Sequence, residues 1–147
     1  MKYVVFAIMF MMVCFTVFAK DNIFVEGKDK LPIKAQNFID SNLVNERIVY
    51  VKESRVFFFK KEYLAVFANG LKIEFNSAGD WVDMLSSRNG LPQKIIPEKI
   101  WQYVNVYYMS THIMEIEKKR KSVMRVMLSN KQELYFDRFG RRMKDGV

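Results

Sequence analysis

The two halves of this chain can be laid over each other. Leu31–Glu53 over Ile96–Lys118, 65 positions apart, puts Pro32 on Pro97, Phe38 on Tyr103, Ile39 on Val104, Ile48 on Ile113 and Val51 on Ile116. Tyr63–Trp81 over Met124–Arg142, 61 positions apart, puts Asn69 on Asn130, Ile73 on Leu134, Phe75 on Phe136, Asn76 on Asp137 and Gly79 on Gly140. The change in offset places a short insertion in the first copy between Glu53 and Lys61. Self-similarity at one period means that a single supersecondary unit is built twice. A unit of about 60 residues is marginally stable alone, so the halves are expected to share sheet edges or core.

Each unit opens with a helix signal, because proline is tolerated in a first turn where its missing N–H would be unpaired anyway. Ala35, Phe38, Ile39 and Leu43 form an apolar stripe at helical spacing, matched by Ile100, Tyr103, Val104 and Tyr107. After each helix the period becomes two. "RIVYVKE" and "HIMEIEK" read as first strands, "EYLAVFA" and "VMRVMLS" as second, "LKIEF" and "QELYF" as third, with "WVDML" a fourth in the first unit. The inward set is then Tyr63, Ala65, Phe67, Ile73 and Phe75 against Met124, Val126, Leu128, Leu134 and Phe136. The expected class is α+β: two tandem repeats, each one helix packed on a three- to four-stranded antiparallel sheet. The expected boundaries are a leader over 1–19, an extension over 20–30, repeats over 31–86 and 96–147, and a linker over 87–95.

"ANGLKIEFNSAGDWV", Ala68–Val82, suits either a ligand loop or turns. Asn69–Gly70 lies between two alternating strands, where a two-residue turn needs positive φ, and Gly79 supplies a second permissive position. A calcium loop needs several carboxylates at alternate positions and a distal glutamate. Asp80 and Asp83 are too few, so no metal site is expected.

The first nineteen residues read as a leader: Lys2, an apolar run, then Val-Phe-Ala before Lys20, with cleavage expected after Ala19. An uncleaved anchor would have to span with the stretch from Tyr3 to Ala19, at the short limit for a membrane helix. Cys14 follows the bulky Met-Met-Val, unlike a lipid-acylated cysteine, and it leaves with the leader. The mature chain would then hold no cysteine, which excludes disulfides and thiol catalysis. The formal charge of +8 falls to +7 with the loss of Lys2. Such a charge favours anionic envelope surfaces or acidic partners, whereas export argues against nucleic acid. Periplasm and secretion are not distinguished by sequence, nor is the oligomeric state.

The catalytic inventory is empty. His112 is the single histidine and is expected at a solvated strand edge; serines form neither G-x-S-x-G nor S-x-x-K. Glu115 and Glu117 share a strand face, as do Lys72 and Glu74, and alternation on a wet sheet explains both pairs. No catalytic residue and no cofactor are assigned.

The order L-P…F-I, then I-x-x-V/I, aromatic-x-V-x-L/F and N-G-x-x-I-x-F-(N/D)-x-x-G-x-W resembles the PepSY-like family, also described as β-lactamase-inhibitor-like. The resemblance runs from Leu31 to Arg142, and the second copy departs from it at Lys131 (for the turn glycine) and Arg142 (for the tryptophan). It implies tandem helix-plus-sheet units in the bacterial envelope or outside the cell. In the inhibitor to which the family is similar, the open sheet face grips an enzyme. Here alternation sends Leu64, Val66, Arg125, Met127, Glu133 and Tyr135 to that face, a mixture typical of binding surfaces. The expectation is an exported, non-enzymatic binding protein that engages, and even inhibits, an envelope protein. The alternative is a binder of anionic envelope components such as lipopolysaccharide, using the basic patch Lys118, Lys119, Arg120 and Lys121. Phe57–Phe59 in "RVFFFKK" cannot all face one core in a strand; at least one is expected at the junction of the copies or at a partner.

Overall fold

The structure, a computed structural model, describes residues 22–25, 27–56 and 60–144. The expected leader, Cys14 within it, and Phe57–Phe59 lie outside the described residues.

Among the described residues nine strands follow one another through a single antiparallel sheet: β1 (Asn22–Val25), β2 (Ile48–Val56), β3 (Lys60–Phe67), β4 (Leu71–Asn76), β5 (Trp81–Ser86), β6 (Ile113–Lys118), β7 (Met124–Leu128), β8 (Glu133–Phe136) and β9 (Arg142–Met143). Two helices, α1 (Ile33–Asn42) and α2 (Glu98–Tyr107), bury apolar stripes in the core on one face. The α+β class agrees with the periodicity. The small sheets expected for the two halves are joined edge to edge, because β5 pairs with β6 through Asp83↔Glu117, Met84↔Ile116 and Leu85↔Glu115. Left apart, those two strands would each expose a row of unpaired N–H and C=O groups. The strand β1 was not expected; it pairs with the outer edge of β2.

Both helices start in the same way. Pro32 and Pro97 are the N-caps, each extended at ψ 144° and 126°. The Pro32 carbonyl accepts from the N–H groups of Ala35 and Gln36, and the Pro97 carbonyl from those of Ile100 and Trp101. Every strand residue expected to point inward is buried, with Ala65, Ile73, Phe75, Val126, Leu134 and Phe136 wholly so. Tyr107 departs from expectation. It is 68% exposed at the end of α2, its ring 4.7 Å from that of Tyr103, and Tyr108 packs on the core instead. The helix ends at Tyr107, and Tyr108 sits in a C-cap conformation that turns its ring inward.

The turns explain the stretch from Ala68 to Val82. Gly70 alone takes a positive φ (87°), its N–H bonded to the Phe67 carbonyl, while Asn69 Oδ1 accepts from the Leu71 N–H. The loop therefore holds three residues and not two. Its counterpart between β7 and β8 has the same bonds, with Lys131 forced to φ 67°. Gly79 serves a second purpose: a Cβ there would lie 2.9 Å from the Ala35 nitrogen and from the Lys34 Cβ. This turn thus carries the start of α1, and the turn at Gly140 approaches Lys99 of α2 at the same distance. β2 and β3 have nine and eight residues against six and five in β6 and β7, which is where the insertion was expected.

Candidate binding face

The face away from the helices is built by register. One cross-strand row reads Lys52, Leu64, Glu74, Asp83, Glu117, Arg125, Tyr135 and Met143; the next reads Tyr50, Val66, Lys72, Leu85, Glu115, Met127 and Glu133. All six residues expected on this face lie in these two rows. They do not form one patch. Leu64 and Val66 are on β3 and Arg125 and Met127 on β7, about 19 Å away at four strand spacings. Between them β4, β5 and β6 carry Glu74, Asp83, Glu115 and Glu117. Leu64, Val66, Met127 and Tyr135 are half-buried, flanked closely by neighbours on adjacent strands.

Arg125 organises one side of this face. Its Nη1 donates to Glu133 at 2.8 Å, its Nη2 to Glu117 at 2.7 Å and also to Glu115, and its Nε to Glu117 at 3.0 Å. Burial works against the Arg125 charge, but the hydrogen bonds it donates to Glu117 and Glu133 outweigh it and raise its pKa. Burial likewise opposes ionisation of Glu117, and the bonds from Lys119 and Arg125 overcome it to leave that carboxyl below its usual range. Tyr135 donates to Glu133 at 2.8 Å, lowering the pKa of the glutamate and raising that of the phenol.

Asp83 has no such cation. It stands directly opposite Glu74 on one side and Glu117 on the other. Burial, then the charges of Glu115, Glu74 and Glu117, push its carboxyl up to about 6. Its Oδ1 is buried and accepts no hydrogen bond. The alternation of "WVDML" could have put Asp83 on this face. Its opposition to Glu117 depends on the pairing of β5 with β6, which no local pattern encodes.

The expected basic patch is divided. Lys118 stacks over the Trp81 ring at 3.5 Å and donates to the Trp81 carbonyl at 2.9 Å. Lys119 pairs with Glu117 at 2.6 Å. Arg120 and Lys121 remain exposed at the tip between β6 and β7, where Lys121 and Ser122 both adopt left-handed φ near 60°. Asp80, weighed as a cation ligand, pairs with Lys34 at 2.6 Å, and that bond holds its pKa down. His112 is exposed beside Gly90. Among the described residues no three His, Cys, Asp or Glu side chains are arranged to hold a metal ion.

These features define a class: an α+β protein with two helices on one side of an antiparallel sheet and an open, charged face on the other. A family model described as "Putative beta-lactamase-inhibitor-like, PepSY-like" matches residues 61–144, and the chain belongs to this PepSY-like family. Solved structures agree. A protein of Bacteroides thetaiotaomicron, described as a "putative calcium-regulated periplasmic protein", is 30% identical with a TM-score of 0.75, the match covering 86% of this chain and 98% of the other. A Bacteroides vulgatus protein, described as a "putative periplasmic protein of unknown function", is 28% identical with a TM-score of 0.74, over 84% and 98% of the two chains. No curated protein matches the chain. No helix among the described residues is long and apolar enough to cross a membrane.

Proposed function

We propose that this chain is an exported, non-enzymatic binding protein of the bacterial envelope that engages another protein through the open face of its sheet. The observation that carries this reading is the face itself. It sets apolar, aromatic and arginine side chains (Leu64, Val66, Leu85, Met127, Tyr135 and Arg125) among carboxylates on a rigid sheet, a composition suited to protein contacts. Export is supported by the leader expected over 1–19 and by relatives described as periplasmic. The same reading takes 31–86 and 96–147 as two copies of one unit, supported by the two proline-capped helices and the matching turns at Gly70 and Lys131. Inhibition of an envelope enzyme is the form of engagement suggested by the inhibitor-like family description.

The test is capture from envelope extract by the purified protein, repeated with Met127→Asp and Tyr135→Asp. Loss of a captured protein with both variants is expected. Capture that neither change weakens would refute the use of this face.

A second reading, attachment to anionic envelope material such as lipopolysaccharide, is favoured by one observation. Arg120 and Lys121 share the sheet end that carries Arg138, Arg141 and the 52%-exposed Phe139, whose ring lies 4.7 Å and 5.2 Å from the two guanidinium groups. Binding of that kind would fade with salt, whereas contacts through apolar anchors would persist.

A further inference from the structure

The open face has the wrong sign for the chain that carries it. The chain is +8 overall, yet the described side chains in its two cross-strand rows include Glu74, Asp83, Glu115, Glu117 and Glu133 against Lys52, Lys72 and Arg125. The acids are also placed where they cost stability. Glu74, Asp83 and Glu117 are consecutive in one row, so two like-charged pairs face each other directly across neighbouring strands. Such opposition is destabilising in a sheet. Glu117 is paired with Lys119 and Arg125, but the opposition of Asp83 and Glu74 is not offset in this way, and a local rule broken there points to a use outside the fold.

Arg125 shows what this arrangement is suited to grip. Three carboxylates on β6 and β8 converge on its guanidinium. Two strands away, Asp83 and Glu74 have the same kind of pairing, but neither forms an ion pair among the described residues. Lys72 lies diagonally beside Asp83 on β4, and its charge does not offset those of Glu74, Glu115 and Glu117, which all act to raise the Asp83 pKa. Around this point Leu64, Val66, Leu85 and Met127 supply apolar contact.

We propose that the partner presents a lysine or arginine side chain, on an otherwise apolar extended segment, seated over Asp83 between Glu74 and Glu117. This rests on the reading of the open face as a protein-binding surface. Charge complementarity fixes the sign of the partner group: a cation there relieves the opposition of Asp83 and Glu74, while Glu117 beside them is already held by Arg125 and Lys119. Leu85 beside Asp83, with Leu64 and Met127 two strands to either side, favours a segment over a free ion, since these residues contribute nothing to holding an inorganic cation.

The test is selection of random-sequence displayed peptides on the purified exported protein. Selected peptides are then measured against Asp83→Asn, Glu74→Gln and Met127→Asp. Asp83→Asn removes a repelled charge, so lost binding by this variant is not lost folding. Peptides with lysine or arginine flanked by apolar residues are expected, weakened about tenfold or more by Asp83→Asn. Uncharged or acidic peptides that ignore Asp83→Asn but are lost with Met127→Asp would overturn the cation while leaving the face in place. Peptides indifferent to all three changes would overturn the face reading too. Displacement of the peptides by calcium chloride alone, or a dimer that Asp83→Asn dissolves, would replace the proposed partner by an ion or a second copy.

Discussion

The two faces of this one sheet follow opposite rules. On the helix side, residues that face each other across strands are apolar and wholly buried: Ala65 against Ile73, Ile73 against Met84, Met84 against Ile116, Ile116 against Val126. One residue along each strand, the open side sets Glu74 against Asp83 and Asp83 against Glu117. The backbone, register and twist are shared, so only the side chains differ. The helix side is arranged for stability. The open side gives some stability up, and the loss is concentrated at Asp83.

The widest separation between the faces is expected within β8. Phe136 is wholly buried and its ring meets that of Tyr103 edge-on at 5.4 Å. Phe136→Ala is expected to cost about 3–5 kcal/mol in denaturant unfolding, and Tyr135→Ala, its neighbour on the open face, less than about 1 kcal/mol. Equal costs would mean that the open face is part of a second core. Next comes the seam between sheet and helix. Gly79→Ala adds a Cβ against the Ala35 nitrogen at φ 82° and is expected to destabilise by about 2–4 kcal/mol.

The open face itself is sharpened by pH. The folded-state carboxyl of Asp83 is raised from 3.8 to about 6, so the fold favours its protonated form. This contribution is present below pH 4 and is lost as pH rises through 6. The shift would correspond to about 3 kcal/mol, and solvent screening of a half-buried group reduces that to about 1–2 kcal/mol. Asp83→Asn should therefore stabilise the protein by that amount at pH 7 and by nothing near pH 4, read from thermal unfolding at both values. The smallest effect is at a turn. Lys131→Gly relieves a left-handed lysine and is expected to add about 1 kcal/mol to stability; no gain would mean that the lysine side chain compensates its backbone.

The helix-side face was legible in the sequence because its information is local. Alternation assigns Tyr63, Phe67, Met124 and Leu128 to the core without reference to any other strand, and helical spacing does the same for Ile39 and Val104. The match between halves located the turns, although one glycine, Gly70, does the work assigned to two residues. The open face was legible only in part. Alternation placed Leu64, Val66, Arg125, Met127, Glu133 and Tyr135 on it, but what separates the two groups depends on β5 lying beside β6. That pairing joins residues from the two halves across the α2 segment and leaves no period to read. Asp83, which carries the largest consequence of the pairing, was weighed only as a poor cation ligand. The basic run Lys118–Lys121 misled in part for a related reason: Trp81 claims Lys118 from the neighbouring region of β5, while Glu117, two residues back on β6, claims Lys119.

The central claim, that the open face is charged against itself in order to receive a cationic group, is tested most directly by following the side-chain carboxyl carbon of Asp83 through a pH titration by NMR. The titration is run on the free protein and again with a selected lysine- or arginine-bearing peptide. A midpoint near 6 in the free protein, falling toward the ordinary aspartate range when the peptide binds, is the predicted result. A free-protein midpoint already at 4 or below, or one that the bound peptide does not move, would contradict the account.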